Sequence, residues 1–353
     1  MPNRPRPLLS RWLRATVLTL ASVLALAAAA CAGSEAGPEG TAPAVLVGGP
    51  DVSGAETAPP GEEADSGDEQ TESEPTPEPT LVSLDWLADN VSVPGLDGGV
   101  ASPTLDQALQ SAVADALAPF GGNPSAVVHN LADGRYAAVN ETATWYAAST
   151  FKAAVLLEAY RQRDAGEIDF ATEVVLEEKY AENDLGTLEY LEIKVNDKVT
   201  IGDAVKGMIV VSDTPLALLV IDQLDSNRID ATLDEIGTSV MTLSDRALPT
   251  TALDLTQLLI AISTGYGVTP ASRDQMLSLM AQEWFTEGII AGLPAGATYA
   301  HKSGRFDAAV HDSAIVWGPA GPYVITVMTD GASGWEPIAA ASAAVYNHFA
   351  ANP

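Results

Sequence analysis

Ser149 and Lys152 stand three residues apart in the stretch Trp145-Tyr-Ala-Ala-Ser-Thr-Phe-Lys152, which opens an apolar, helix-forming run over 153–160. Residues three apart on a helix share a face, so the Lys152 ammonium reaches the Ser149 hydroxyl. A serine needs a neighbouring base before it is a useful nucleophile. A lysine that is partly buried and crowded by other cations loses enough basicity to be that base. The N–H groups at a helix N-terminus favour a developing oxyanion. The pair therefore suits acyl transfer, and a plain serine N-cap is the simpler reading of the same pattern. Among Lys152, Lys179, Lys194, Lys198, Lys206 and Lys302, only Lys152 has a serine three positions before it.

Two more stretches carry hydroxyls and a cation. Ser212-Asp213-Thr214 falls in a short loop between helices predicted over 201–211 and 215–224. Lys302-Ser303-Gly304 falls at the end of a strand predicted over 298–303. Taken singly, Ser212 reads as a helix cap, Lys302 as a solvated strand lysine and Ser303 as an edge residue.

The elements that hold these residues follow from hydrophobic spacing. A helix is predicted from Pro103-Thr104 to about Phe120, with Leu105, Leu109, Val113 and Leu117 on one face and Gly121-Gly122 as its stop. Strands over 125–131 and 136–140 flank the turn signal Asp133-Gly134. The Ser149 helix ends near Arg163. Residues 176–196 show no clear period. Helices follow over 229–236, 251–263 and 270–282. Strands over 298–303, 313–317 and 323–328 come next, the last turn being 319–322, and a final helix covers 337–349. The predicted fold class is α+β. Early and late strands share an antiparallel sheet flanked by the terminal helices, and an all-helical subdomain is inserted at about 150–290.

The three motifs in this order resemble those of the serine β-lactamase and penicillin-binding protein superfamily, S-x-x-K, S-D-N and K-T-G. The stretches 208–213 and 300–304, the latter followed by His311-Asp312, look most like class A members. The resemblance covers about 104–349. It implies that Ser149 attacks a strained lactam or an acyl-D-Ala carbonyl while Lys152 takes its proton, directly or through water. It implies that Ser212 relays the proton to the leaving nitrogen. Lys302 and Ser303 would face the substrate carboxylate, with Lys302 also depressing the Lys152 pKa. Gly304 would let the strand approach the substrate, and the N–H groups of Ser149 and Arg305 would form the oxyanion hole. No cofactor and no metal are implied.

Two departures bear on function. Thr214 stands where the family carries Asn, and a hydroxyl cannot present the donor and acceptor of a carboxamide together. The Glu-bearing loop of class A members has no counterpart over 239–254, where Asp245 and Asp254 are the only carboxylates. General-base help with hydrolysis is worth about 10²–10⁴-fold. The expectation is a serine hydrolase acting on β-lactams through a Ser149 acyl-enzyme that deacylates slowly. A D-alanyl peptide or ester hydrolase of the same fold, and a non-hydrolytic envelope binding protein, are the alternatives.

The front of the chain reads as export and tethering. Arg4, Arg6, Arg11 and Arg14 precede an apolar stretch over 15–30, so residues 1–30 are predicted to be a signal peptide. Ala28-Ala-Ala-Cys31, with Leu26 just before, resembles a lipobox, although that signal usually carries Leu where Ala28 stands. Cys31, the only cysteine, is the predicted lipidation site. The protein is then anchored on the outer face of the cell membrane by lipid alone, or secreted if Cys31 is not acylated. Residues 31–80 are rich in Gly, Pro, Ser, Thr, Glu and Asp and are predicted to be a disordered acidic tether. Residues 81–103 form a linker or a short packed segment, and the domain spans 104–353.

The formal net charge of -30 argues against nucleic acid as a partner. His129, His301, His311 and His348 show no metal-ligand spacing. His301 reads as a strand residue flanking the site. Glu189 and Glu192 lie in the unassigned stretch before Ser212.

Overall fold

The computed structural model describes residues 79–353, Asn90 excepted. The predicted signal peptide, Cys31 and the tether up to residue 78 lie outside the described residues.

A six-stranded sheet is the middle layer. Its strands are β1 (Thr104–Leu105), β2 (Ser125–Asn130), β3 (Arg135–Val139), β4 (Thr298–Phe306), β5 (Ala309–Gly318) and β6 (Gly321–Thr329). They lie in the order β1-β3-β2-β6-β5-β4, antiparallel throughout except for β1 with β3. The main helices are α1 (Gln107–Leu117), α2 (Lys152–Asp164), α3 (Ile201–Val210), α4 (Thr214–Leu224), α5 (Ser226–Glu235), α6 (Ala252–Thr264), α7 (Pro270–Met280) and α8 (Glu336–Ala351). This is the α+β arrangement the sequence predicts.

Strand β2 is buried along its whole length. The reason is that both faces of the sheet are covered. Ala126 and Val128 point into a core shared with Leu109 and Val113 of α1 and Val345 and Phe349 of α8. Val127 points the other way, into a core shared with Leu255 and Leu259 of α6. The terminal helices thus form one outer layer and the inserted helical block the other.

Helix α1 starts later than predicted. Asp106 caps it, accepting from the N–H groups of Ala108 and Leu109 at 2.9 and 3.0 Å. Thr104 and Leu105 instead pair with Arg135 and Tyr136, which leaves Leu105 exposed rather than on the apolar face. A carboxylate that satisfies two orphan N–H groups outweighs the preference of Pro103 for a first turn.

The late strands run further than predicted. The β4–β5 ladder continues to Phe306 opposite Ala309, because Asp307 turns the chain at φ +51°. The unassigned stretch holds two helices of four and five residues, Glu178–Ala181 and Thr187–Leu191. Elements that short show no period. A ribbon of Glu173–Val175 with Lys198–Thr200 flanks them, so the inserted block is helical apart from its short ribbons. Ahead of the sheet, Leu84, Leu87 and Val93 are buried in the same core as α3. That segment is an extended strap, with Val82 N–H donating to the Lys198 carbonyl at 2.8 Å.

Candidate active site

Ser149 is presented on a tight turn wedged between two parts of the fold. Trp145 and Tyr146 pair with Thr250 and Pro249, and Ala147 N–H donates to the Leu248 carbonyl at 2.8 Å. A 3₁₀ turn, Ala148–Phe151, follows and runs straight into α2. Ala148 sits at φ +47°, a left-handed conformation that costs a non-glycine residue about 1 kcal/mol or more. Thr150 Oγ1 holds the turn by donating to the Ala147 carbonyl at 2.6 Å. His311 holds it from the sheet. Its Nε2–H donates to the Tyr146 carbonyl at 3.0 Å, while Nδ1 accepts from Thr329 N–H at 3.3 Å. Burial pushes the His311 pKa down to about 4, so the ring stays neutral.

Helix α2 is buried on nearly every side, so Lys152 is carried into the interior. Its Nζ donates to Ser149 Oγ at 3.0 Å, the Ser212 carbonyl at 2.6 Å, Ser212 Oγ at 3.3 Å and Thr214 Oγ1 at 3.2 Å. Burial first, and then the Lys302 ammonium, pull its pKa down to about 7, against the opposing pull of Asp213 and Glu283. Near neutral pH the amine therefore spends much of its time unprotonated, with a lone pair beside the Ser149 hydroxyl.

Ser212 sits at φ +59° between α3 and α4. The loop is pinned by Asp213, whose Oδ1 caps α4 at Leu216 N–H, 2.6 Å, and whose Oδ2 accepts from Thr187 Oγ1 at 2.5 Å. Burial pushes the Asp213 pKa up. Thr214 Oγ1 accepts from Lys152 Nζ and keeps its own proton to donate.

Lys302, Ser303 and Gly304 lie on β4 opposite Ser313, Asp312 and His311. A Cβ on Gly304 would sit 2.9 Å from the backbone nitrogens of both Ser149 and Thr150. The strand needs glycine there to touch the Ser149 turn, a closer approach than the substrate contact expected of it. Gly304→Ala is expected to slow any reaction at Ser149 by at least tenfold and to cost about 1–3 kcal/mol of stability. Acylation rates and thermal unfolding measured together check both effects. Arg305 follows with its side chain exposed and its N–H next along the strand.

One residue escaped the sequence reading. Glu283, its side chain fully buried, forms an ion pair with Lys302. Its Oε2 accepts from Ser303 N–H at 2.8 Å and its Oε1 from Ser303 Oγ at 2.7 Å. Lys302 is thus no solvated lysine, and the Ser303 hydroxyl is already in use. His301 is also buried, donating from Nδ1 to Asp312 Oδ1 at 3.0 Å. Burial pushes its pKa down, but Asp312 and Glu283 outweigh that and hold it above the ordinary value. The only sequence signal for Glu283 was indirect: a lysine on a buried stretch of strand needs a countercharge.

Asp245 is exposed and accepts from Ala247 N–H in its own turn. Asp254 is buried and clamps the N–H groups of Ser239, Val240 and Met241. Glu189 and Glu192 are exposed. Among the described residues no cluster of three or more His, Cys, Asp or Glu side chains offers a metal site.

Comparison with known proteins agrees with this geometry. Residues 107–349 match the model of a family described as the beta-lactamase enzyme family. No curated protein sequence matches the chain. The structure of PBP-A is similar at 25% identity and a TM-score of 0.66, covering 71% of this chain and 99% of that one. A PBP-A mutant solved as an acyl-enzyme complex with penicillin-G is similar to the same degree. The beta-lactamase from Sphaerobacter thermophilus DSM 20745 shares the fold at 24% identity and a TM-score of 0.63, with 70% and 98% of the two chains covered.

Proposed function

The chain belongs to the beta-lactamase enzyme family, and on that premise we propose that it is a serine hydrolase that opens β-lactams through an acyl-enzyme at Ser149. The observation that carries this is the buried Lys152 amine, 3.0 Å from Ser149 Oγ with a pKa near 7. Neutral Lys152 takes the Ser149 proton as Oγ bonds to the lactam carbonyl carbon. The N–H groups of Ser149 and Arg305 receive the oxyanion, each such donor being worth about 3 kcal/mol. The carbon–nitrogen bond then breaks. The proton passes from Lys152 to the leaving nitrogen by way of Ser212 Oγ, 3.3 Å from Nζ. Amine and hydroxyl end as they began, and the acyl group remains on Ser149.

The solved acyl-enzyme of a PBP-A mutant with penicillin-G supports penicillins as acyl donors. The Asp245 and Asp254 contacts leave no evident base for the hydrolytic water, which favours slow release. The same gap favours a second reading, a D-alanyl peptide or ester hydrolase for which β-lactams are slow substrates. Residues 1–80 support an exported protein, lipidated at Cys31 and tethered to the membrane.

Intact-mass spectrometry after mixing with penicillin-G tests the proposal. Wild type is expected to gain the mass of one penicillin, and Ser149→Ala to gain nothing. An unlabelled wild-type protein, or equal labelling of the variant, would remove Ser149 from the mechanism.

A further inference from the structure

Lys302 and Ser303 carry the two side-chain donors that the family resemblance directs at a substrate carboxylate. In this chain both already hold a carboxylate of the protein. Glu283 Oε1 accepts from the Lys302 ammonium and, at 2.7 Å, from Ser303 Oγ. Its Oε2 accepts from Ser303 N–H at 2.8 Å. We propose that Glu283 stands in for the substrate carboxylate, so that this site acylates best with donors that are uncharged at that position. The inference rests on the Ser149 acyl-enzyme reading.

Donor counting supports it first. A serine hydroxyl has one proton, and that of Ser303 is given to Glu283. The Lys302 ammonium has three, of which one goes to Glu283 and one to the Ser303 carbonyl at 2.9 Å. An arriving carboxylate finds a single Lys302 N–H where two side chains would otherwise bind it.

Charge supports it second. Lys302 is matched by Glu283, and His301 beside them by Asp312. A second carboxylate would meet a neutralised cation and a like charge close by. Arg305, one residue beyond Gly304, has its side chain in solvent, where attraction is weak.

Anchoring supports it third. Trp284 N–H donates to the Val210 carbonyl at 3.0 Å. Gln282 Nε2 donates to the Asp89 carbonyl at 2.7 Å. These contacts fix the backbone on both sides of Glu283, and its carboxylate is held by Lys302 and Ser303.

The test uses penicillin-G and its methyl ester, which differ only in that carboxylate. Second-order rates of Ser149 acylation are read by intact mass on the wild-type protein and on Glu283→Gln. The wild type is expected to react with the ester at least as fast as with the acid. Glu283→Gln is expected to move the acid-to-ester ratio at least tenfold toward the acid. The amide keeps the shape and still accepts from Ser303 N–H, but leaves the Lys302 charge for the ligand. A wild type faster with the acid, or a ratio that the variant leaves unchanged, would overturn the inference. The wild-type comparison decides on its own should the variant fail to fold. Labelling by neither compound would overturn the acyl-enzyme reading itself, and this inference with it.

Discussion

Replacing Lys152 with alanine is expected to slow acylation of Ser149 by about 10³-fold, within the usual range for a lost general base. Lys152→Arg is expected to do nearly as much harm. A guanidinium fills the space and keeps the charge, but it does not give up its proton. That pairing separates a base from a structural cation, since a purely structural role would tolerate arginine. The pH dependence adds a sign. Acylation needs the unprotonated amine, so its rate rises as pH climbs through about 7 and levels off above it. At pH 5, two units below, only about one amine in a hundred is neutral. The wild-type rate should therefore be about 100-fold below its plateau, and the alanine variant should show no such limb. Rapid-quench intact-mass measurements from pH 5 to 9 check both, with circular dichroism confirming that each variant is folded. A flat wild-type profile, or an arginine variant of wild-type rate, would remove Lys152 as the base.

Much of this site was legible in the sequence because its parts are local. Ser149 and Lys152 meet through helical spacing alone. Pro215 marks the start of a helix, which places Ser212 in a loop between two helices. The long elements were likewise legible, since α6, α8 and the late hairpins carry enough periodic residues to mark themselves. Where boundaries moved, tertiary pairing had overridden a local preference. Thr104 and Leu105 joined β3 rather than the helix that Pro103 would start.

What stayed hidden depends on contacts distant in sequence. Glu283 sits 19 residues from Lys302 in a loop with no motif. One glutamate among 47 acidic residues is unmarked until the chain folds. His301 was read as a flanking residue because its partner Asp312 lies on the neighbouring strand, eleven residues on. Gly304 was assigned to substrate contact, and the sequence did not show that its missing Cβ also makes room for the nitrogens of Ser149 and Thr150. For His301 and Gly304 the sequence named a residue type that fits the site, and only the register of β4 on β5 and on the Ser149 turn said what it touches.

The penicillin acyl-enzyme, once formed, is expected to accumulate to nearly full occupancy and to hydrolyse about 10²–10⁴-fold more slowly than with a positioned base. Buried carboxylates among the described residues are Glu158, Asp203, Asp213, Asp254, Glu283 and Asp312. Glu158 accepts from Thr232 Oγ1 and Gln162 Nε2. Asp203 is taken by Thr200 and Lys206. Asp213 caps α4, and Asp254 clamps 239–241. Glu283 holds Lys302 and Ser303, and Asp312 holds His301 and Ile289 N–H. Each of these has both oxygens hydrogen-bonded to protein donors, which leaves fewer lone pairs to hold and activate a water. Asp245 is exposed, but its Oδ1 closes its own turn at 2.8 Å. Labelling with a small excess of penicillin-G, removing the excess and following the mass gives the deacylation rate directly. Release as fast as acylation would mean that one of these carboxylates is freed when the acyl group arrives. Asp245→Asn then decides whether the exposed one is responsible, and it is expected to leave the slow rate unchanged.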